Sequence, residues 1–195
     1  MKRVIFYLLG SVMILSAQDN LGSARAALDS GFPKVALLKI EESIPLVGKP
    51  AAGDEANILY ARALIADGQP RAAIKLLGEV SPGAGLEKEF WLAQALAANG
   101  DFPEALAKYT RCTMAEDFSF FREAALGRAS MLRNLNRIDE AISVLEGTAS
   151  WPTSSSKTQA LLDLAELQIL KGSGSGAEGS DKKGFSLCGR DVPFE

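Results

Sequence analysis

Apolar and polar residues alternate at helical spacing along most of this chain, and the small apolar ones keep a fixed register. Ala24, Ala61, Ala93, Ala129 and Ala165 each stand seven residues before a turn-type residue, namely Gly31, Gly68, Gly100, Asn136 and Gly172. Five residues after the first four of these come Ala36-Leu37, Ala73-Ile74, Ala105-Leu106 and Ala141-Ile142. The turn positions lie 37, 32, 36 and 36 residues apart. A repeat of that length holding two helices is the mark of a stacked solenoid, so the pattern predicts four helical hairpins and a fifth first helix.

Close packing explains the register. Two antiparallel helices joined by a short turn approach closely only where small residues meet, and alanine allows this without weakening the helix. Large residues fill the space around the crossing: Ile40, Leu77, Tyr109 and Leu145 nine after each turn, and Ala27, Leu64, Leu96 and Leu132 four before it. Ser30-Gly31, Asp67-Gly68 and Asn99-Gly100 supply left-handed turn geometry, and Pro33, Pro70 and Pro103 sit where a helix begins without its first amide donors. Runs of alternating β-branched and aromatic residues are short, so strands are not expected.

These residues carry a family resemblance. The stretch LAQALAANGDFPEALAKY, residues 92–109, resembles the tetratricopeptide repeat (TPR), with Gly100-Asp101-Phe102 at the turn and Glu104-Ala105-Leu106 after it. LYARALIADGQPRAAIKLL and GRASMLRNLNRIDEAISVL resemble it with departures, Arg128 for a leucine and Asn136 for the turn glycine; SARAALDSGFPKVALLKI is a weaker copy. The resemblance implies an all-α fold, a right-handed superhelical solenoid of antiparallel helix hairpins, with about four TPR-like repeats plus an extra C-terminal helix. It covers residues 18–171.

The ends read differently. Lys2 and Arg3 precede the apolar run from Val4 to Leu15, followed by Ser16, Ala17 and the polar Gln18-Asp19-Asn20. That order is an export signal, so residues 1–17 are expected to be a signal peptide cleaved after Ala17, leaving no stable membrane span; an uncleaved anchor or a buried first helix are the alternatives. At the other end Thr158 to Lys171 has the pattern of a fifth first helix, but no partner helix follows. Residues 172–195 are instead expected to be a flexible Gly/Ser-rich tail. The last helix is either an imperfect cap or the edge of a longer array.

Composition narrows the function. Removing Lys2 and Arg3 leaves 19 basic residues of the 21 against 24 acidic, a net charge of −5. The basic residues are scattered, which argues against a nucleic-acid partner. The chain has no histidine, which removes the commonest general base and metal ligand together. Cys112, twelve after Gly100, is expected to be a buried packing thiol, and Cys188 lies in the tail; burial of one partner argues against a disulfide between them. Gly83 to Gly85 lack the lysine and hydroxyl of a phosphate loop. No catalytic residue, metal site or cofactor is therefore expected, and the chain reads as a non-enzyme.

The resemblance implies a concave groove lined by the first helix of every repeat, with ligand-facing residues ten and six before the turn. The ten-before set is Leu21, Ile58, Phe90, Leu126 and Leu162; the six-before set is Arg25, Arg62, Gln94, Ser130 and Glu166. The first is an apolar stripe suited to a peptide with apolar side chains, unless it packs between repeats, and Arg25 and Arg62 would draw acidic groups to one end. Chaperone-binding members of the family hold a carboxylate with lysine where Leu21 and Ile58 stand, so that ligand class does not fit. Phe118, Phe120, Phe121, Trp91 and Trp151 are expected to pack, or else to form a contact patch. The reading is an exported, periplasmic scaffold or adaptor of the bacterial envelope that binds another protein or peptide. Two other readings stay open: a structural component that self-associates through the C-terminal helix, and an accessory subunit of a cell-envelope enzyme.

Overall fold

A computed structural model of the chain describes residues 20–47, 53–152 and 154–180. Residues 1–17, read above as a signal peptide, Cys188 and the last fifteen residues lie outside that range. Residues 20–29 are helical (α1). There follow α2 (Pro33–Val47), α3 (Gly53–Ala66), α4 (Pro70–Glu79), α5 (Gly85–Asn99), α6 (Phe102–Cys112), α7 (Phe121–Asn134), α8 (Ile138–Glu146) and α9 (Ser155–Ser180), with short 3₁₀ turns at Pro82–Ala84 and Gly147–Ser150. The pairs α1/α2, α3/α4, α5/α6 and α7/α8 are the four expected hairpins, α9 is the fifth first helix, and the described residues contain no strand.

Every hairpin turns in the same way. Gly31, Gly68, Gly100 and Asn136 have φ of 80°, 78°, 89° and 58°, the left-handed region that glycine and asparagine tolerate. The amide after each turn residue donates to the carbonyl four before it: Phe32 to Ala27 at 2.9 Å, Gln69 to Leu64 at 2.8 Å, Asp101 to Leu96 at 2.9 Å and Arg137 to Leu132 at 2.8 Å. These bonds satisfy carbonyls that the helix end leaves without partners. The second helix then starts when the amide of Ala36, Ala73, Ala105 or Ala141 bonds back to the carbonyl just past the turn, at 3.0–3.2 Å. Its first turn holds Pro70 in α4 and Pro103 in α6.

The alanine register lies at the crossings. Ala24, Ala36, Ala61, Ala73, Ala93, Ala105, Ala129 and Ala141 are all buried, as are Ile40, Leu77, Tyr109 and Leu145. Twelve after the turn stand Ser43, Val80, Cys112 and Thr148, again all buried. The hydroxyls of Ser43 and Thr148 donate to the carbonyls of Ile40 and Leu145, both at 2.6 Å, so the helix itself satisfies them.

The core is serial. One apolar cluster joins α1, α2 and α3 through Ala24, Ile40 and Leu59; a second joins α3, α4 and α5 through Ile58, Leu77 and Ala95. A third joins α5, α6 and α7 through Phe90, Tyr109 and Met131, and the last joins α7, α8 and α9 through Leu132, Leu145 and Leu167. Each hairpin thus buries its apolar surface against the next first helix.

The fifth unit departs from expectation. Gly172 makes no turn: α9 continues as helix through it to Ser180. Among the described residues no second helix returns along α9, and helical hydrogen bonds are local, so the described packing does not turn the chain out of helix there. Ala165, in the register of the crossing alanines, is consequently exposed. No helix among the described residues is long and apolar enough to cross a membrane.

Candidate functional site

The ten-before residues are packing residues, which corrects their expected role as an open stripe. Ile58 is 5% exposed and Phe90 is 2% exposed. Ile58 lies among Leu77 of its own hairpin and Ala95 of the next first helix. Phe90 stacks on Phe120, centroids 4.8 Å apart, and meets Trp91, Tyr109 and Phe118 edge-on. Leu21 and Leu126 are half-buried against the first and last clusters. The position points into the junction of its own second helix with the following hairpin. Leu162, which has no following hairpin among the described residues, is 61% exposed.

The six-before residues do reach the surface. Arg25 is exposed and its Nη2 donates to Glu55 on the next first helix at 2.6 Å. Arg62, half-buried, lies 3.5 Å from Asp29 of the preceding first helix, and its guanidinium sits 4.7 Å from the centroid of the Trp91 ring on the following one. Gln94 and Ser130 are half-buried; Glu166 is exposed and accepts from Arg133 at 3.2 Å. Ser130 also lines a small cavity of about 30 Å³ with Arg133 and Asp163, between α7 and α9. Ion pairs therefore cross from one first helix to its neighbour at both ends of the row. Exposed pairs of this kind contribute about 0–1 kcal/mol each, so they set charge and register more than stability.

Trp91 was not legible as part of this row. Its Nε1 and the Nε of Arg62 are both buried and have no hydrogen-bond partner among the described residues. Only the Arg62–Trp91 stacking reveals the connection, and in sequence Trp91 reads as one more core aromatic beside Phe90. Phe118 and Phe120 complete the same aromatic core, while Phe121 meets Trp151 at 6.4 Å against the fourth hairpin. These aromatics therefore pack.

A second apolar feature was not anticipated. Phe32, Val35 and Leu38 are exposed on the outer face of α2, where the other hairpins carry Gln69, Ala72 and Lys75, or Asp101, Glu104 and Ala107, or Arg137, Glu140 and Ser143. Beside them a cavity of about 270 Å³ is lined by Gly31, Phe32, Pro33, Val35 and Asp67.

Among the described residues, the titratable groups that depart from their ordinary values do so through burial or a single hydrogen-bond partner. Burial pushes the Cys112 thiol up to about 11, so it stays protonated and unreactive at neutral pH. Burial likewise raises the Tyr109 phenol. The Ser81 hydroxyl and amide hold Asp54 below the usual carboxylate range, and Arg137 does the same for Glu140. Among the described residues no group of three or more histidine, cysteine, aspartate or glutamate side chains is placed to hold a metal ion.

No family model matches this chain, and no curated protein matches it in sequence. Solved structures do. Two crystal structures of a Podosopora anserina chain assigned as a kinesin light chain, with nearly identical TPR-like repeats, superpose with TM-scores of 0.64 and 0.63. Each is 20% identical, covers 83% of this chain, and is itself covered over 89% and 90% of its length respectively. The fold is the all-α TPR-like repeat solenoid.

Proposed function

We propose that this chain is a non-catalytic scaffold that engages a partner protein or peptide along the line of its first helices. The observation that carries this reading is the row Arg25, Arg62, Gln94, Ser130 and Glu166, one side chain from each first helix and each at least partly exposed. A stacked array offers such a row at the hairpin spacing, which suits an extended ligand crossing several repeats. Because Ile58 and Phe90 are buried, the row is polar, and its partner is recognised by charge and hydrogen bonding. Arg25 and Arg62 favour acidic groups at one end, and Glu166 favours a basic group at the other.

Affinity capture from envelope extracts tests this. Arg62→Glu is expected to weaken capture by about tenfold, with a difference that shrinks as salt rises; unchanged capture at low salt would remove the row as the site. The order of residues 1–17 supports export to the bacterial envelope. Protein recovered from the periplasm is then expected to begin at Gln18, and a soluble cytoplasmic product retaining Met1 would sink that part of the reading. A second contact, with another copy of the chain, is favoured by the exposed apolar residues of α9.

A further inference from the structure

The step from α3 to α5 holds donors that lack acceptors. Arg62 Nε and Trp91 Nε1 are both buried, and neither finds an acceptor among the described residues. Both groups only donate, so what this step is short of is an acceptor, which a basic or purely apolar ligand would not bring. The charge on Arg62 is poorly matched as well. Its side chain is 22% exposed, the least among the arginines of the described ion pairs, yet its 3.5 Å contact with Asp29 is the longest that any of them makes. The most desolvated of these guanidinium groups thus has the weakest carboxylate, although a cation drawn out of water needs the better partner.

Trp91 sets the guanidinium in place. Its ring lies 4.7 Å from Arg62 Cζ and is itself held by the aromatic core, with Phe90 at 5.0 Å and Phe120 at 5.7 Å. A guanidinium resting on a fixed aromatic keeps its fork of donors in one direction, and a carboxylate is the acceptor that matches the fork. Asp29 now stands in front of Nη2, but at 3.5 Å and with its side chain 62% exposed it is readily displaced. Charge balance selects the kind of anion. Arg25 and Arg62 each already face one carboxylate, Glu55 and Asp29, so these four groups sum to zero. Such a patch accepts a single negative charge in exchange for Asp29 more easily than the two charges of a phosphate.

We propose that Arg62 and Trp91 form a seat for one carboxylate, the side chain of a glutamate or aspartate in the partner, and that Asp29 occupies this seat in the free chain as an internal competitor. Binding exchanges Asp29 for the partner's carboxylate, so Asp29 sets how strongly an acidic segment must bind before it is held. The inference rests on the reading of the first-helix row as the partner surface. It adds what the row recognises at Arg62 and what limits that recognition.

Trp91 reports on its own seat. The chain has two tryptophans, so in the full chain carrying Trp151→Phe the indole emission comes from Trp91 alone. Titration at low salt with a capped Gly-Glu-Gly-Glu-Gly peptide is expected to change that emission saturably, and the matching glutamine peptide is expected to leave it unchanged. Asp29→Asn should tighten binding of the glutamate peptide about threefold by removing the competitor. Arg62→Lys should weaken it about tenfold although the charge is kept, because an ammonium has no fork. No saturable change even with Asp29→Asn, equal binding of the glutamine peptide, or weaker binding on Asp29→Asn would each overturn the proposal. Tighter binding of a phosphoserine peptide than of the glutamate peptide would overturn the choice of a single charge. Capture that depends on Arg62 without any binding of the glutamate peptide leaves the row standing and removes the seat. Peptide binding with capture indifferent to Arg62→Glu does the reverse.

Discussion

Tyr109 fills the place that Ile40, Leu77 and Leu145 hold in the other hairpins, and it fits because residue 127 carries no side chain. A Cβ on Gly127 would come within 2.5 Å of the Tyr109 ring, and that ring is too buried to move aside. Gly127→Ala is therefore expected to lower stability by about 1–3 kcal/mol, the range for overpacking, measured by denaturant unfolding. Adding Tyr109→Leu should recover part of the loss, making the double variant more stable than the two single effects summed; strict additivity would show that the two residues do not compete for space. The crossing alanines were legible because they recur in register, each copy confirming the next. The Tyr109–Gly127 match occurs at one junction only, between the third hairpin and the fourth, and a volume exchange seen once leaves no periodic trace.

At the level of the element, the turns carry the fold. Asn136 is the one turn residue with a Cβ in the left-handed region, at φ 58°. Asparagine tolerates that conformation better than other side-chain-bearing residues, so Asn136→Ala is expected to cost about 1 kcal/mol and Asn136→Gly to be neutral or stabilising by a few tenths. Thermal melts of the two variants check this; equal melting temperatures would mean that the turn does not depend on its left-handed residue. Helix boundaries were readable from such punctuation, but the direction of each apolar face was not. A first helix in a solenoid is apolar on two sides, toward its own hairpin and toward its neighbours, so spacing alone could not separate groove from core for Ile58 and Phe90. The six-before residues were placed at the surface more reliably, since Arg25, Arg62, Gln94 and Glu166 are hydrophilic themselves. The end of α9 was misread for a related reason: Gly172 looks like the other turn residues, yet a turn forms where a second helix has somewhere to pack.

At the scale of the molecule the described residues form a chain of junctions, each cluster shared by one hairpin and the next first helix, and among them no cluster is common to all. Its two ends differ in character, small and polar residues on α1 and exposed leucine and isoleucine on α9. This serial construction has a mechanical side. A load applied at the two termini passes through the junctions one after another, as through links, and no junction shields another. Stretched in an optical trap, the protein should yield in several small steps, each releasing about one hairpin, roughly 35 residues or about 120 Å of extended chain. A single rip spanning the full length would mean that the links fail together. A repeat array that lengthens hairpin by hairpin gives way under load in small increments and can refold the same way when the tension falls.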